Sequence, residues 1–500
     1  MTEEEIIIEY MNLIARVCAV VSSYPKDIND IYVMRGFKGI YEDTWGSIER
    51  AWLTKNSVGD FLAVMNHVID EVERTAEEAS YIQAMAICLW LEENITYDDR
   101  FESEGRPYFS VNGLLRFDGG NKFVSIDSMN TNYADTGIQI VPKFEICRHW
   151  SEEGEITDSV KPNPYANRDA FSGLNGKTKK ICFVKYKENF HIHNLILPFR
   201  FTPDTEAELN IAFCPLTDQD LLETENVQIK EQDRVYEGVK VKGVKQPEQL
   251  LKRLQDDWRH ACDEGKADII FFPEVLGSKL SEEVVRHNAN YNKPVFAIAK
   301  EESRKGNKLP ILTVLPSFCE EGENQATVLD KNGFIIAKQN KYEPYFNLKD
   351  HRKEYLKPCE EKHYYVIHIP KLHRIAVLIC ADFLKYDNND AKKLFTEVGC
   401  TLLLVPSYSH GEVDFVNTIQ TLRPYGTTVI WGNCCGAVKD KRIIGGCCVA
   451  GFDTVKRFSD CCDCVAGCAG VDKCVFIVSV PLRLVGANEA KVAEITVKRI

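Results

Sequence analysis

The chain has 500 residues, a formal net charge of −13, and 44% hydrophobic with 27% charged residues, the balance of a globular protein of two or three domains. That charge argues against general affinity for nucleic acid or anionic membrane. No apolar run reaches the ~18 residues that a membrane-spanning helix needs.

The acidic start Met1-Thr2-Glu3-Glu4-Glu5 lacks the basic region of a secretory signal. The nineteen cysteines, an odd number, therefore read as reduced thiols of a cytoplasmic protein rather than as a disulfide framework.

Residues 1–100 carry helical periodicity. Thr2 with Glu5 forms a possible capping box ahead of Ile6, Ile7, Met11, Ile14, Val17 and Val21, and Pro25 closes the segment. Trp45, Ile48 and Trp52 mark a second helix, and Phe61, Val64, Val68 and Val72 a third after Ser57. Thr75 and Glu78 open a fourth, with Ile82, Met85, Cys88 and Leu91 as its stripe. Such stripes predict core packing.

From about residue 101 to 205 the period falls towards two, as in strands. Predicted strands are Tyr108 to Phe117, Lys122 to Ile126, Gly137 to Trp150, Lys180 to Tyr186 and Asn189 to Phe201, with turns at Asp118-Gly119-Gly120 and Pro162-Asn163-Pro164. His191 and His193 share one strand face. With no third ligand nearby in sequence, they are expected to be a solvated or hydrogen-bonded pair rather than a metal site.

The linker-like Thr202-Pro203-Asp204-Thr205-Glu206 sets a domain boundary at about 206, ahead of a strand from Leu209 to Phe213. The charged stretch from 216 to 247 reads as a loop-rich insertion, followed by a helix from Glu248 to Glu264. Then comes Ala267-Asp268-Ile269-Ile270-Phe271-Phe272-Pro273-Glu274, a buried strand ending in a carboxylate. A glutamate at the mouth of an apolar strand should hold its proton more tightly than usual, as a general base requires.

Asn332-Gly333 centres a hairpin from Ala326 to Ala337 that leads into Lys338-Gln339-Asn340-Lys341-Tyr342. Arg374-Ile375-Ala376-Val377-Leu378-Ile379-Cys380-Ala381-Asp382-Phe383 is a further apolar strand, which delivers Cys380 to a crevice at its carboxyl end. Gly399 to Ser407 reads as the next strand, and Asn433-Cys434-Cys435-Gly436 and Gly445-Gly446-Cys447 follow in order. Cys461, Cys462, Cys464, Cys468 and Cys474 are irregularly spaced, with no second C-x-x-C unit to pair with Cys461-Cys462-Asp463-Cys464, so a thiol cluster is expected there rather than zinc.

Taken in order from 206 to 500, these pieces resemble a carbon-nitrogen hydrolase of the nitrilase superfamily; residues 1–205 match no known motif. The resemblance implies an α/β fold, a four-layer α-β-β-α sandwich, preceded here by the helical and then β-rich accessory regions. It also implies a catalytic triad of Glu274, Lys341 and Cys380. A second glutamate between lysine and cysteine is best matched by Glu354, with Glu343 and Asp350 as rivals.

The implied chemistry is attack of the Cys380 thiolate on a small amide or nitrile, a thioester intermediate, and its hydrolysis, with Glu274 moving protons and Lys341 holding the developing anion. No cofactor or metal is called for. Asp382 is assigned to backbone hydrogen bonds beside the nucleophile, and Ala381, Ser407 and Tyr408 to the substrate crevice. Ala381 and Tyr342-Glu343-Pro344 depart from the family pattern and leave the substrate open. Acyl or amine transfer through the same cysteine is an alternative, as is a partner-binding role of residues 1–205. The resemblance further implies a homo-oligomer.

Overall fold

In the computed structural model the described residues are parts of 9–25, most of 31–96, short strands between 109 and 185, 190–197, most of 208–278, most of 309–347, 351–369, 373–385, 394, 398–422, 427–437, 443–448, 455–461, 474–481 and 496–500. The capping box of Thr2 and Glu5, Ile6, Ile7, Met11, Ile14, Ser57, the turns at 118–120 and 162–164, the linker at 202–206, Asp350, Cys462, Cys464 and Cys468 lie outside them.

Three helices, Phe37–Thr54, Val58–Thr75 and Glu78–Asn94, pack around one apolar core. Ile48, Ile82, Met85, Cys88 and Leu91 are buried in it as their spacing predicts. On the middle helix the buried stripe is Phe61, Met65, Ile69 and Val72, while Val64 and Val68 are only half-buried. The expected face is thus turned by about one position. Among the described residues no helix is long and apolar enough to cross a membrane.

Among the described residues, two eight-stranded sheets carry most of the rest, beside a four-stranded sheet and two two-stranded ones. In the first, Glu208–Phe213 runs between Ile269–Phe271, parallel, and Phe476–Pro481, antiparallel. Leu312–Val314 and Glu323–Asp330 extend it, and Ile335–Asn340 folds back on the latter as the predicted hairpin. In the second, His373–Val377 lies between Leu402–Ser407, parallel, and Lys362–Ile369, antiparallel, with Thr428–Asn433 beyond the former. Leu402–Ser407 and Thr428–Asn433 are buried at every residue, as expected for parallel strands covered on both faces.

The two-residue period of a strand decides what each side chain meets. Leu209, Ile211, Phe213, Ile269 and Phe271 share a core with Ile375, Val377, Leu403, Val405 and Ile430 of the second sheet. Ala212, Cys214, Ile270 and Phe272 turn instead to helix Pro247–Asp263, meeting Leu250, Leu254, Trp258 and Ala261. Helix Val413–Leu422 adds Phe415, Ile419 and Leu422 beside the second sheet, with Phe415 stacked on Trp431 at 4.4 Å. The sheets approach so closely that a Cβ on Gly432 would stand 2.2 Å from the Phe213 ring.

One expectation needs correction. The stretch from 216 to 247 is not loop-rich: Leu222–Glu231 and Arg234–Val244 form a long antiparallel ribbon. Its backbone groups pair with each other along both strands. Phe190–Ile196, ahead of the boundary expected at about 206, pairs in parallel with Lys362–Ile369 of the second sheet along its length.

Candidate active site

Three turns at strand ends converge, and two of them are strained. Glu274 lies just past Ile269–Phe271, and the next residue, Val275, takes a φ of +58°, an outlier for a β-branched side chain. The turn is held by Val275 N–H donating to Ser317 Oγ at 2.9 Å. Cys380 follows His373–Val377 at φ +48°, ψ −102°, immediately ahead of the short helix Ala381–Leu384. Such a conformation stores about 1–3 kcal/mol and persists only where surrounding structure enforces it. Here the Cys380 N–H is tied to Pro406 O at 3.0 Å and the Phe383 N–H to Cys380 O at 3.1 Å.

Lys341 leaves the hairpin strand Ile335–Asn340 with its own N–H on Asn324 O at 2.8 Å. Its side chain is 2% exposed, and Nζ donates to Glu274 Oε1 and to Glu354 Oε2, each at 2.6 Å. The Cys380 thiol donates to the Glu274 carboxylate. Glu274, Lys341, Glu354 and Cys380 are therefore brought into one buried cluster. Of the rivals to Glu354, Glu343 is occupied elsewhere, paired with Lys362 at 3.3 Å and Lys385 at 3.2 Å.

Glu354 ends the strand Arg352–Glu354, which pairs in parallel with Arg234–Val244 and sets Glu354 opposite Val239. Tyr355 N–H donates to Val239 O at 2.9 Å, and Glu354 Oε2 also accepts Tyr345 N–H at 2.9 Å. The ribbon misread as loop thus fixes the second glutamate.

Burial raises the proton affinity of the Glu274 carboxyl, Lys341 pulls it back, and Glu354 pushes it up again; it settles above the usual range. Burial alone would lower the Lys341 ammonium, but Glu274 and Glu354 together hold it well above its ordinary value. The Cys380 thiol is pushed well up by burial and by the charge of Glu274, with Lys341 offsetting only part. Burial and the Glu274 charge thus favour the thiol over the thiolate, and Lys341 works in the opposite direction.

The three crevice residues fare differently. Tyr408 reaches the cluster through its backbone, whose N–H donates to Glu274 Oε2 at 3.0 Å, while its hydroxyl donates to Asp220 at 3.0 Å. Ala381 is buried and opens the helical turn, where its N–H has no intrahelical acceptor. Ser407 is fully buried between strands, accepting Trp431 Nε1–H at 2.7 Å and lying 3.0 Å from Asn433 Oδ1, so its hydroxyl is committed to the sheet rather than to the crevice. Asp382 Oδ1 accepts the Tyr342 and Glu343 N–H groups at 3.0 and 2.7 Å, the backbone role expected of it.

One group was missed in the sequence. Asn324 Nδ2 donates to Glu274 Oε1 at 2.8 Å, and its Oδ1 is buried without a hydrogen-bond partner among the described residues. The hairpin register, with Gln325 opposite Asn340, puts Asn324 beside Lys341 and could have flagged it.

No family model matches the chain, and no curated protein matches it. Among solved structures it is similar to an amidase from Nesterenkonia sp., at 16% identity and TM-score 0.33 over 55% of this chain and 92% of that one. A cysteine-to-alanine mutant of the Nesterenkonia AN1 amidase, described as from the nitrilase superfamily, matches at 17% and TM-score 0.34 over 55% and 91%. The same amidase with acrylamide added at its active-site cysteine matches at 16% and TM-score 0.29 over 45% and 78%. This chain is thus similar to nitrilase-superfamily amidases over about half its length, at scores too low to carry weight, and the chemistry of the cleft rests on its own residues.

Proposed function

We propose that residues from about 190 onwards form a thiol-dependent carbon-nitrogen hydrolase, built as a four-layer α-β-β-α sandwich and acting on a small amide or nitrile. The observation that carries this reading is a buried lysine clamped by two carboxylates at 2.6 Å, one of which also accepts the thiol of a strained cysteine.

For an amide, Cys380 Sγ attacks the carbonyl carbon as its proton passes to Glu274. Negative charge moves onto the former carbonyl oxygen, where Lys341 Nζ and the Ala381 N–H are the available donors. The C–N bond breaks, Glu274 returns the proton to the leaving nitrogen, and a thioester on Cys380 remains. Water that gives a proton to Glu274 then releases the acid and regenerates the thiol. Glu354 fixes the ammonium between two acceptors, so Lys341 is oriented before the charge develops. Preorganised donors of this kind supply a few kcal/mol each, about 10²–10³ in rate.

The test is release of ammonia or amine from a panel of short amides and nitriles, with added amine acceptors to reveal transfer. Turnover that survives Cys380→Ala would refute the reading. Residues 1–205 are the part offered to a protein partner, and the helices within them have an apolar core of their own. Self-association of the sandwich is expected, and light scattering checks it.

A further inference from the structure

A second group of titratable side chains lies outside the Cys380 cluster. Phe190–Ile196 and Lys362–Ile369 pair in parallel with His191 opposite His363 and His193 opposite Tyr365, which sets all four rings on one face. They stack as a ladder, with centroids 4.8 Å apart for His191 and His363, 5.0 Å for His193 and His363, and 4.8 Å for His193 and Tyr365. Glu361 brings Oε2 to 3.5 Å from His363 Nε2.

Ring stacking alone accounts for the ladder but not for its polar atoms. His191 Nε2 is buried and has no hydrogen-bond partner among the described residues, an omission that destabilises the fold unless something fills it. His363 Nδ1 shares a hydrogen bond with His193 Nε2 at 2.7 Å. When His363 is the donor, its Nε2 keeps a free lone pair towards Glu361. That is the arrangement of a metal-binding imidazole whose far nitrogen is held by an outer partner.

We propose that His191, His363 and Glu361 bind one divalent transition-metal ion, zinc foremost, with His193 holding His363 from behind. One donor atom from each of the three ligands lies within 4.8 Å of the others. Zinc at about 2.0–2.1 Å from each ligand sets tetrahedral donors about 3.4 Å apart. His363 and Glu361 already stand near that spacing at 3.5 Å, and the His191 donor lies within 4.8 Å of both. Two imidazoles and a carboxylate suit zinc better than magnesium or calcium, which prefer oxygen alone. The site does not depend on the chemistry of Cys380. It touches that region through Tyr342, whose hydroxyl donates to His363 O at 2.8 Å and accepts His363 N–H at 2.7 Å.

The test uses the full chain, stripped with chelator, titrated calorimetrically with zinc and observed with cobalt(II) as a spectroscopic probe. His191→Asn and Glu361→Gln are compared with the parent protein; the Glu361 side chain is 66% exposed, so its substitution leaves the fold intact. The expected result is one zinc per chain, bound at least about tenfold more weakly by each variant, since loss of even an outer partner weakens metal binding by that much. The cobalt spectrum should carry no thiolate charge-transfer band, which separates this site from the cysteines. No zinc binding, or equal binding by the parent and both variants, overturns the proposal.

Discussion

Replacing Lys341 by Met removes the cation between Glu274 and Glu354 while keeping the bulk of the side chain. Nζ stands 2.6 Å from an oxygen of each carboxylate, and at an effective dielectric of about 20 each contact supplies about 6 kcal/mol of attraction. Desolvation of the three groups offsets most of this, and breaking a buried pair by removing one partner leaves a net loss of about 3–5 kcal/mol. That loss should depend on pH. Burial already holds the Glu274 carboxyl above its usual range, and without Lys341 it rises further. A carboxyl whose folded pKa exceeds its unfolded value of about 4.3 destabilises the fold progressively as pH rises from there through the folded value, and has no effect below both. Thermal unfolding followed by circular dichroism at about pH 5, 6.5 and 8 should therefore show a gap between parent and variant that widens with pH. Equal gaps at all three, or a variant as stable as the parent at the highest pH, would refute this electrostatic account of the cluster.

Asn324→Ala removes the 2.8 Å bond to Glu274 Oε1 and leaves Lys341 and Tyr408 in place; a hydrogen bond to a charged group is worth about 1.5–3 kcal/mol, so kcat/KM should fall about tenfold or more, and an unchanged value counts against a role for Asn324. Asp382 is raised by burial to about 7, with the Glu343 and Tyr342 N–H groups pulling the other way. Its unfolded value is about 3.9, so it withdraws stability as pH climbs from there to about 7. Asp382→Asn, which does not titrate, should flatten the dependence of the unfolding midpoint on pH over that window; an unchanged slope contradicts the assignment. Trimming the ribbon, with a tight turn in place of residues 224–241, frees Glu354 from Val239. It should lower turnover while the far-ultraviolet spectrum still reports both sheets.

Glu274 and Cys380 each follow an apolar strand and Lys341 follows a hairpin with an Asn-Gly turn, so their places at strand ends were legible, while their grouping came from the resemblance alone. Glu354 was legible only in part: the sequence offered several carboxylates, and the choice depends on which one reaches Nζ. The ribbon was missed for a physical reason. Leu222–Glu231 carries charge on both faces and has no fully buried residue, so the short alternation at Val227 and Ile229 is outweighed by charge, and the strand is held by pairing with Arg234–Val244. The pairing of Phe190–Ile196 with Lys362–Ile369 was likewise not legible, because the two strands lie far apart along the chain. The same pairing brings His363 and Glu361 to His191, a grouping that no local spacing could announce.

The central claim is that Cys380 carries the acyl group. Intact-protein mass spectrometry after quenching the chain with a turned-over amide, followed by peptide mapping, tests it most directly. The expected result is an adduct of the acyl mass on the peptide containing Cys380, absent from Cys380→Ala and discharged by hydroxylamine. Turnover with no adduct on that peptide, or an adduct that forms equally well in Cys380→Ala, would contradict it.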